Sequence, residues 1–395
     1  FVVMSFCFVA YWAVAWWRLD RAMRMSISMT EGRDLDEPAD GWPSVSVIIP
    51  AHNEEEMIAR CVKGMLSQRY PNLHFIFVLD RCSDRTEALL HEAIDGDDRF
   101  TVKSISECPP DWAGKCNAAR VGSEIALELG VDFLLFTDAD VAFDHDLVQS
   151  AVALALREDA DLLSALSTLT TSSWEEVVVQ PVASLNLMRM HPTDVVNRAI
   201  NPRAFANGQF MLFTRDIYQR VGGHQAVWED LLEDIAFARL VKKEGGRGIM
   251  VNGDRMLIVS MYDSLSSMQE GWKRIFIEVA RRRPRRLIQW GIRSLGVGAC
   301  MPCSQLATLG LGIAVSSRGD AGGLTLAVIS VSLGFTLQAA VLLRFYSRAH
   351  ASRIGILGYH LGCILVGLMM IEGALDLLRR RPIRWGGREY VLEPR

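Results

Sequence analysis

The stretch Phe133-Leu-Leu-Phe-Thr-Asp-Ala-Asp140 decides how the chain is read. Four apolar residues in an unbroken run are the pattern of a strand buried on both faces, and two carboxylates one residue apart follow it at once. Ligands of an open α/β sheet gather at the carboxyl ends of its strands, so this strand carries acid to the edge where chemistry sits. Alternate residues of an extended chain point the same way. Asp138 and Asp140 can therefore face one ion, and two hard oxygen donors suit Mg2+ or Mn2+ holding a diphosphate. The same tripeptide also serves as a turn or a helix cap, so the motif needs support from its surroundings.

That support begins upstream. Val45-Ser-Val-Ile-Ile49 reads as a strand stopped by Pro50, with a helix from about Glu55 to Ser67. His74 to Leu79 is a second strand, after which Ser83 is placed to cap a helix running through His91. Phe100 to Ile105 is a third, and the loop Pro109 to Lys115 feeds a helix from Cys116 to Leu129. Downstream lie a helix (146–157), a strand (162–166), a mixed segment (174–203), a strand (209–214), a short glycine-closed helix and a helix over 235–243. Strands alternating with helices of this length predict an α/β, Rossmann-like, mostly parallel sheet flanked by helices.

The chain has 395 residues, half of them apolar, and the apolar excess collects at the two ends. Residues 1–17 carry no charge, end in aromatics and are followed by Arg18, Arg21 and Arg24, the pattern of a transmembrane anchor whose positive flank is cytoplasmic. Residues 18–43 read as a linker, 44–260 as the catalytic domain and 261–290 as a basic interfacial segment. Over 291–378, runs at 291–315, 323–343 and 354–375 give two or three transmembrane helices, and 379–395 is a basic tail. Three full crossings would put that arginine-rich tail outside, against the positive-inside expectation; otherwise one run, 291–315 first, is interfacial or re-entrant. The formal charge of −4 gives no sign of nucleic-acid binding, and eight cysteines without framework spacing read as reduced thiols.

Ile48-Ile-Pro-Ala-His-Asn-Glu54, Val78-Leu-Asp-Arg-Cys-Ser-Asp84 and Thr137-Asp-Ala-Asp140, in that order, resemble the family 2 glycosyltransferases, enzymes of the GT-A fold that move a sugar from a nucleotide diphosphate. Trp112-Ala-Gly-Lys115, Ala206-Asn-Gly-Gln-Phe-Met-Leu-Phe213, Val221-Gly-Gly-His224, Leu232-Glu-Asp-Ile235 and Trp385-Gly-Gly-Arg-Glu-Tyr390 look like the membrane-bound branch associated with carotenoid and hopanoid glycosylation.

The resemblance implies roles residue by residue. Pro50, Ala51, Glu54 and Asp80 line the nucleoside, Asp80 accepting from the uracil N–H of a UDP-linked donor, although Arg81 stands where the family often has a second acid. Lys115, beside a helix N-terminus, suits the phosphates. Asp140 is implied as direct metal ligand, with Asp138 reaching the ribose or the ion's water shell. Asp234 matches the acceptor-side base, with Glu233 as the structural alternative, and Asn207 and Gly208 begin the acceptor strand. His224 suits either the diphosphate or a backbone bond. The Gln-x-x-Arg-Trp sequence of polymerising members is absent from Gln269-Glu-Gly-Trp-Lys-Arg-Ile275, which points to single-sugar transfer, with Trp272, Lys273 and Arg274 as phosphate or interface contacts. The expected protein is a metal-dependent inverting enzyme of the inner, cytoplasmic membrane, multi-pass with its catalytic domain cytoplasmic. Its partners are a nucleotide-sugar and a lipid acceptor such as an isoprenoid, carotenoid or hopanoid. A polysaccharide synthase and a non-catalytic nucleotide-sugar binder are the alternatives.

Overall fold

A computed structural model describes residues 2–109, 112–262, 264–319, 321–385 and 388–395. Two compact units emerge, one formed by residues 26–169 and 191–261, the other by 1–25, 170–190 and 262–395.

The first unit is an α/β sheet protein. Its strands are β1 (Val45–Ala51), β2 (Leu73–Asp80), β3 (Phe100–Ile105), β4 (Phe133–Phe136), β5 (Val141–Phe143), β6 (Leu162–Leu166), β7 (Thr168–Leu169), β8 (Met211–Thr214), β9 (Gly248–Asn252) and β10 (Leu257–Val259). The main sheet runs in the order β3-β2-β1-β4-β8-β6-β9, parallel except where β8 lies against β4 and β6. The chain leaves β1 toward β2 and β3, then returns to place β4 on the other side of β1. The order reverses between β1 and β4, and it is at the carboxyl ends of strands so placed that sheets of this kind open a crevice. All four residues of β4 are buried, as a strand covered by helices on both faces requires.

Several elements differ from the sequence expectation. β1 continues through Pro50 to Ala51; β4 pairs with it only as far as Ile48, so Pro50 falls where β1 has a single partner and a residue without an N–H is tolerated. The next helix starts at Ile58 rather than Glu55, because the amides of Glu54 and Glu55 are taken by the side chains of Thr86 and Asp84. Asp84, not Ser83, serves the start of helix Thr86–Ile94, accepting from the Thr86 amide at 3.0 Å, while the Ser83 amide donates to Asn53. β5, β10 and β7 form a small second sheet, each too short for any periodicity to announce it. Helix Gly114–Glu128 lies on β1 and β2 through Gly122, where a Cβ would come within 2.5 Å of the Ile48 side chain.

The second unit is helical. Helix Val2–Arg24 ends with Asp20 paired to Arg24 and to Arg344, each at 2.7 Å. Helices Trp174–Val178 and Gln180–Met190 belong to this unit, as does Leu265–Val279. Three helices, Pro284–Ser316, Ala321–Arg348 and Tyr359–Leu378, are long and apolar enough to cross a membrane. Pro284–Ser316 is helical throughout, with a π-helical stretch at Gly296–Cys300, so 291–315 does not turn back on itself.

Close packing fixes the direction of these helices. A Cβ on Gly291 would lie 2.6 Å from Ile371 Cγ1 and 2.8 Å from the Gly367 carbonyl, and one on Gly298 would lie 2.8 Å from Cys363 Cβ. As residue numbers rise on one helix they fall on the other, so Pro284 and Leu378 share an end. Lys273 pairs with Asp376 at 2.7 Å and Glu372 at 3.2 Å, and the Arg395 amide donates to the Arg282 carbonyl at 3.0 Å, which ties the same end together. The tail forms a hairpin of β11 (Pro382–Trp385) and β12 (Arg388–Val391) at the end that also holds the 281–286 arginines; Gly386 and Gly387 of the closing motif lie outside the described residues. Lys273 is spent on this packing and Trp272 is buried, stacked on Phe276 at 5.6 Å, so of the phosphate or interface contacts expected of them, both make contacts between or within helices.

Overpacking the Gly291 contact should be costly. Gly291→Val is expected to lower stability by about 1–3 kcal/mol, seen as a lower Tm of the full chain in detergent. Gly296→Ala, whose Cβ meets nothing within 4 Å, should leave Tm unchanged or raised. Equal effects of the two substitutions would contradict the antiparallel packing.

Candidate active site

The carboxyl end of β4 delivers Thr137, Asp138, Ala139 and Asp140 into the crevice, with the Thr137 hydroxyl donating to the Gln209 carbonyl at 2.8 Å and fixing the strand's exit. Lys115 enters from the first turn of helix Gly114–Glu128. Its ammonium lies 2.6 Å from Asp138 Oδ1 and 3.1 Å from Glu233 Oε1. Glu233 and Asp234 come from the first turn of helix Glu233–Lys243, where free amides favour negative charge. Asp234 accepts from the Gly208 amide at 2.9 Å through one oxygen and from its neighbour Ile235 at 2.7 Å through the other. A Cβ on Gly208 would stand 3.4 Å from both Asp234 Oδ2 and Lys115 Nζ and 3.5 Å from Glu233 Oε1. Lys115, Asp138, Gly208, Glu233 and Asp234 thus converge, although they are scattered over 120 residues of sequence.

The acids do not share one environment. Burial alone would lower the Lys115 pKa, but Asp138 and Glu233 outweigh it and hold the ammonium charged. Burial pushes Glu233 up, yet Lys115 more than offsets this and Glu233 stays below the usual carboxylate range. For Asp234, burial and then the Glu233 charge raise the pKa to about 7. For Asp140, burial and then the Asp138 and Glu54 charges also raise it to about 7. Glu54 therefore faces the same crevice from the carboxyl end of β1. Asp140 Oδ1 is buried with no hydrogen-bond partner.

An orphaned hard oxygen beside a second carboxylate is what a divalent cation requires, so Asp138 and Asp140 fit one. Asp144, His145 and Asp146 also lie close enough together to hold an ion. There, however, Arg33 pairs with Asp144 and reaches Asp146 at 3.4 Å, and Arg69 stands 3.9 Å from Asp146, so the acids are already neutralised.

Other expected residues are placed differently from one another. Asp80 ends β2 beside Gly114, where a Cβ would collide with its Oδ2 at 2.5 Å, and both of its oxygens accept from Arg81, at 2.8 and 2.7 Å. Pro50 and Ala51 form the end of β1. The Asn207 side chain turns away, donating to the Ala165 carbonyl at 2.9 Å, while the Ser164 hydroxyl donates back to the Asn207 carbonyl at 3.2 Å, so this residue braces β6. His224 is buried, bonded to the Tyr218 hydroxyl at 2.7 Å and packed on Phe136 and Phe237; burial lowers its pKa to about 3, and it is neutral. The Lys115 bridge between Asp138 and Glu233 and the Arg81 clamp on Asp80 were not foreseen as pairings. The i,i+1 clamp was open to inspection, whereas the Lys115 bridge spans contacts that no local pattern encodes.

A topological switch point with acids at the ends of β1 and β4 and a lysine at a helix N-terminus is the arrangement of a GT-A-like fold. Residues 46–222 match the pattern described as Glycosyl transferase family 2, which supports a family 2 glycosyltransferase. It is similar to a 4,4'-diaponeurosporenoate glycosyltransferase of Staphylococcus aureus (strain bovine RF122 / ET3-1), with 23% identity over 88% of each chain. It is also similar to the probable glycosyltransferase YdaM of Bacillus subtilis (strain 168), with 39% identity over 25% of this chain and 23% of that one. Among solved structures it resembles the mannosyltransferase PcManGT of Pyrobaculum calidifontis in complex with GDP-Man and Mn2+, with TM-score 0.52 and 14% identity over 96% of this chain and 99% of that chain, a likeness of fold.

The raised acids make a stability prediction. The folded pKa values of Asp140 and Asp234, about 7, lie above the ordinary 3.8. Their contribution to stability is therefore full below about pH 4 and lost as pH rises through 7. Asp140→Asn and Asp234→Asn, neutral at every pH, should each unfold several degrees above wild type at pH 8 without added metal, and much closer to it at pH 5. Thermal denaturation of the full chain in detergent checks this; shifts independent of pH would contradict it.

Proposed function

We propose that the protein is a membrane-bound inverting glycosyltransferase moving one sugar from a UDP-linked donor to a lipid acceptor such as an isoprenoid, carotenoid or hopanoid. The observation that carries the reading is the opposite displacement of two neighbouring acids. Glu233 is held ionised by Lys115 and Asp234 is raised to about 7, the division of labour expected where one acid is electrostatic and the other moves a proton.

In this reading Asp234 takes the proton of an acceptor hydroxyl as its oxygen forms the new bond to the anomeric carbon. The bond from that carbon to the diphosphate breaks on the opposite face, and the electron pair leaves with the diphosphate. The Gly208 amide orients Asp234, and Gly208 lets an acceptor approach the backbone closely. Lys115 and the helix N-terminus beneath it attract the diphosphate. Pro50, Ala51, Glu54 and Asp80 line the nucleoside, with Arg81 fixing the orientation of the Asp80 carboxylate. Asp140 and Asp138 would hold Mg2+ or Mn2+, which when bound neutralises charge on the leaving diphosphate. The similarity to a 4,4'-diaponeurosporenoate glycosyltransferase and the three apolar helices support an acceptor dissolved in a membrane, where confinement raises its effective concentration. The inner membrane, with the catalytic domain cytoplasmic, is the proposed location, since Arg18, Arg21 and Arg24 follow the first apolar run.

Membranes carrying the protein, incubated with labelled UDP-sugars and Mg2+ or Mn2+, should pass label into the organic phase as a singly glycosylated product. Transfer to an alcohol acceptor should rise with pH through about 7 as Asp234 ionises. Asp234→Asn should lower kcat by at least about 100-fold while nucleotide binding persists. Label found as free sugar or polymer in water would remove the lipid acceptor, and unchanged transfer by Asp234→Asn would remove the base.

A further inference from the structure

The helical unit contains a cation that the proposed chemistry does not use. Arg189 lies in the last turn of helix Gln180–Met190, its guanidinium carbon 5.8 Å from the centre of the Tyr11 ring. The groups that act on its charge are Tyr359, Tyr11 and Cys363; among the described residues no carboxylate is paired with it. Arginine cannot shed its charge to escape such a setting, and a charge held among apolar helices without a counter-ion is costly enough to mark a site.

The polar atoms around it point to the missing partner. Tyr359 is 1% exposed and Trp12 is fully buried, their rings 5.9 Å apart. The hydroxyl of Tyr11 and the indole N–H of Trp12 are buried without a hydrogen-bond partner, and the Tyr359 hydroxyl lies against Arg189 and Cys363. Guanidinium and indole only donate, and phenol hydroxyls donate readily. The cluster is rich in donors, and what it lacks is an acceptor carrying negative charge.

We propose that Arg189, with the hydroxyls of Tyr11 and Tyr359, binds the ionised acid head, carboxylate or phosphate, of a membrane-dissolved amphiphile. The planar guanidinium presents paired N–H groups that match either oxyanion, and the buried N–H of Trp12 supplies a further donor. The surrounding helices Val2–Arg24 and Tyr359–Leu378 provide apolar surface for the chain behind the head. The inference rests on the proposed membrane-dissolved acceptor and adds that an acid group is what the protein recognises on it.

The test uses the full chain in phosphatidylcholine nanodiscs, with retinoic acid, retinol and geranylgeranyl monophosphate as probes. Binding is read by quenching of tryptophan fluorescence for the retinoids and by competition for the phosphate. Wild type should bind the acid at least about tenfold more tightly than the alcohol, the advantage of a charged hydrogen bond. Arg189→Gln should erase that preference with retinol binding unchanged, and Arg189→Lys should restore part of it. Competition by added phosphatidylglycerol would assign the head to the bilayer's own lipid; absence of competition, with binding of the acid, assigns it to an acceptor-like amphiphile. Equal affinity of wild type for acid and alcohol, or a preference that survives Arg189→Gln, would overturn the proposal. Asp234→Asn separates the two readings: loss of transfer in this variant with the acid preference intact supports both, and wild-type transfer without any acid preference leaves the enzyme reading standing and removes this site.

Discussion

One ammonium group among acids sets the character of the sheet unit. Lys115 touches Asp138 and Glu233, and its charge also bears on Asp140 and Asp234. Because it sits at the start of a helix, the amides beneath it add to the same positive potential. The consequence is an uneven sharing of charge. Glu233, which Lys115 touches, is stabilised as an anion, and Asp140 and Asp234, beyond its direct reach, are pushed toward neutrality by burial and by their neighbours. A single side chain thereby divides a cluster of acids into fixed charges and poised ones. The proposed chemistry needs that division, since a proton acceptor and an ion ligand cannot both be locked into salt bridges.

The sheet puts this arrangement where a ligand can reach it. β1 and β4 are neighbours at the point where the strand order reverses, so Glu54 and the Asp138–Asp140 pair emerge on one rim. The family pattern ends at residue 222, before Glu233 and Asp234. What ties these two acids to the rest is geometry: the Gly208 amide on Asp234 and the Lys115 ammonium on Glu233. The fold likeness to a solved mannosyltransferase extends over nearly the whole chain, including the helical unit.

Much of the fold was legible because its signals are local. Phe133 to Phe136 announced a buried strand, and the acids following it needed no partner to be noticed. β2 was equally clear from its apolar run. What stayed hidden depends on distant partners or on elements too short to show a period. Nothing in the sequence says that Asn207 spends its amide on Ala165, or that His224 sinks beneath Phe136 and Phe237 instead of facing phosphate. β5, β7 and β10 have only two or three residues each. The sidedness of the tail was a puzzle when the apolar runs were treated one at a time. What no single run could show is that the first and last of them pack in opposite directions, at Gly291 and Gly298.

The central claim is that the pair at the end of β4, and not the Asp144-His145-Asp146 group, receives a divalent ion together with a nucleotide diphosphate. Electron paramagnetic resonance of Mn2+ with the full chain, with and without UDP, measures this directly. The account predicts a bound-Mn2+ signal that strengthens with UDP, disappears in Asp140→Asn and persists in Asp144→Asn. A signal that survives Asp140→Asn and vanishes in Asp144→Asn would contradict it.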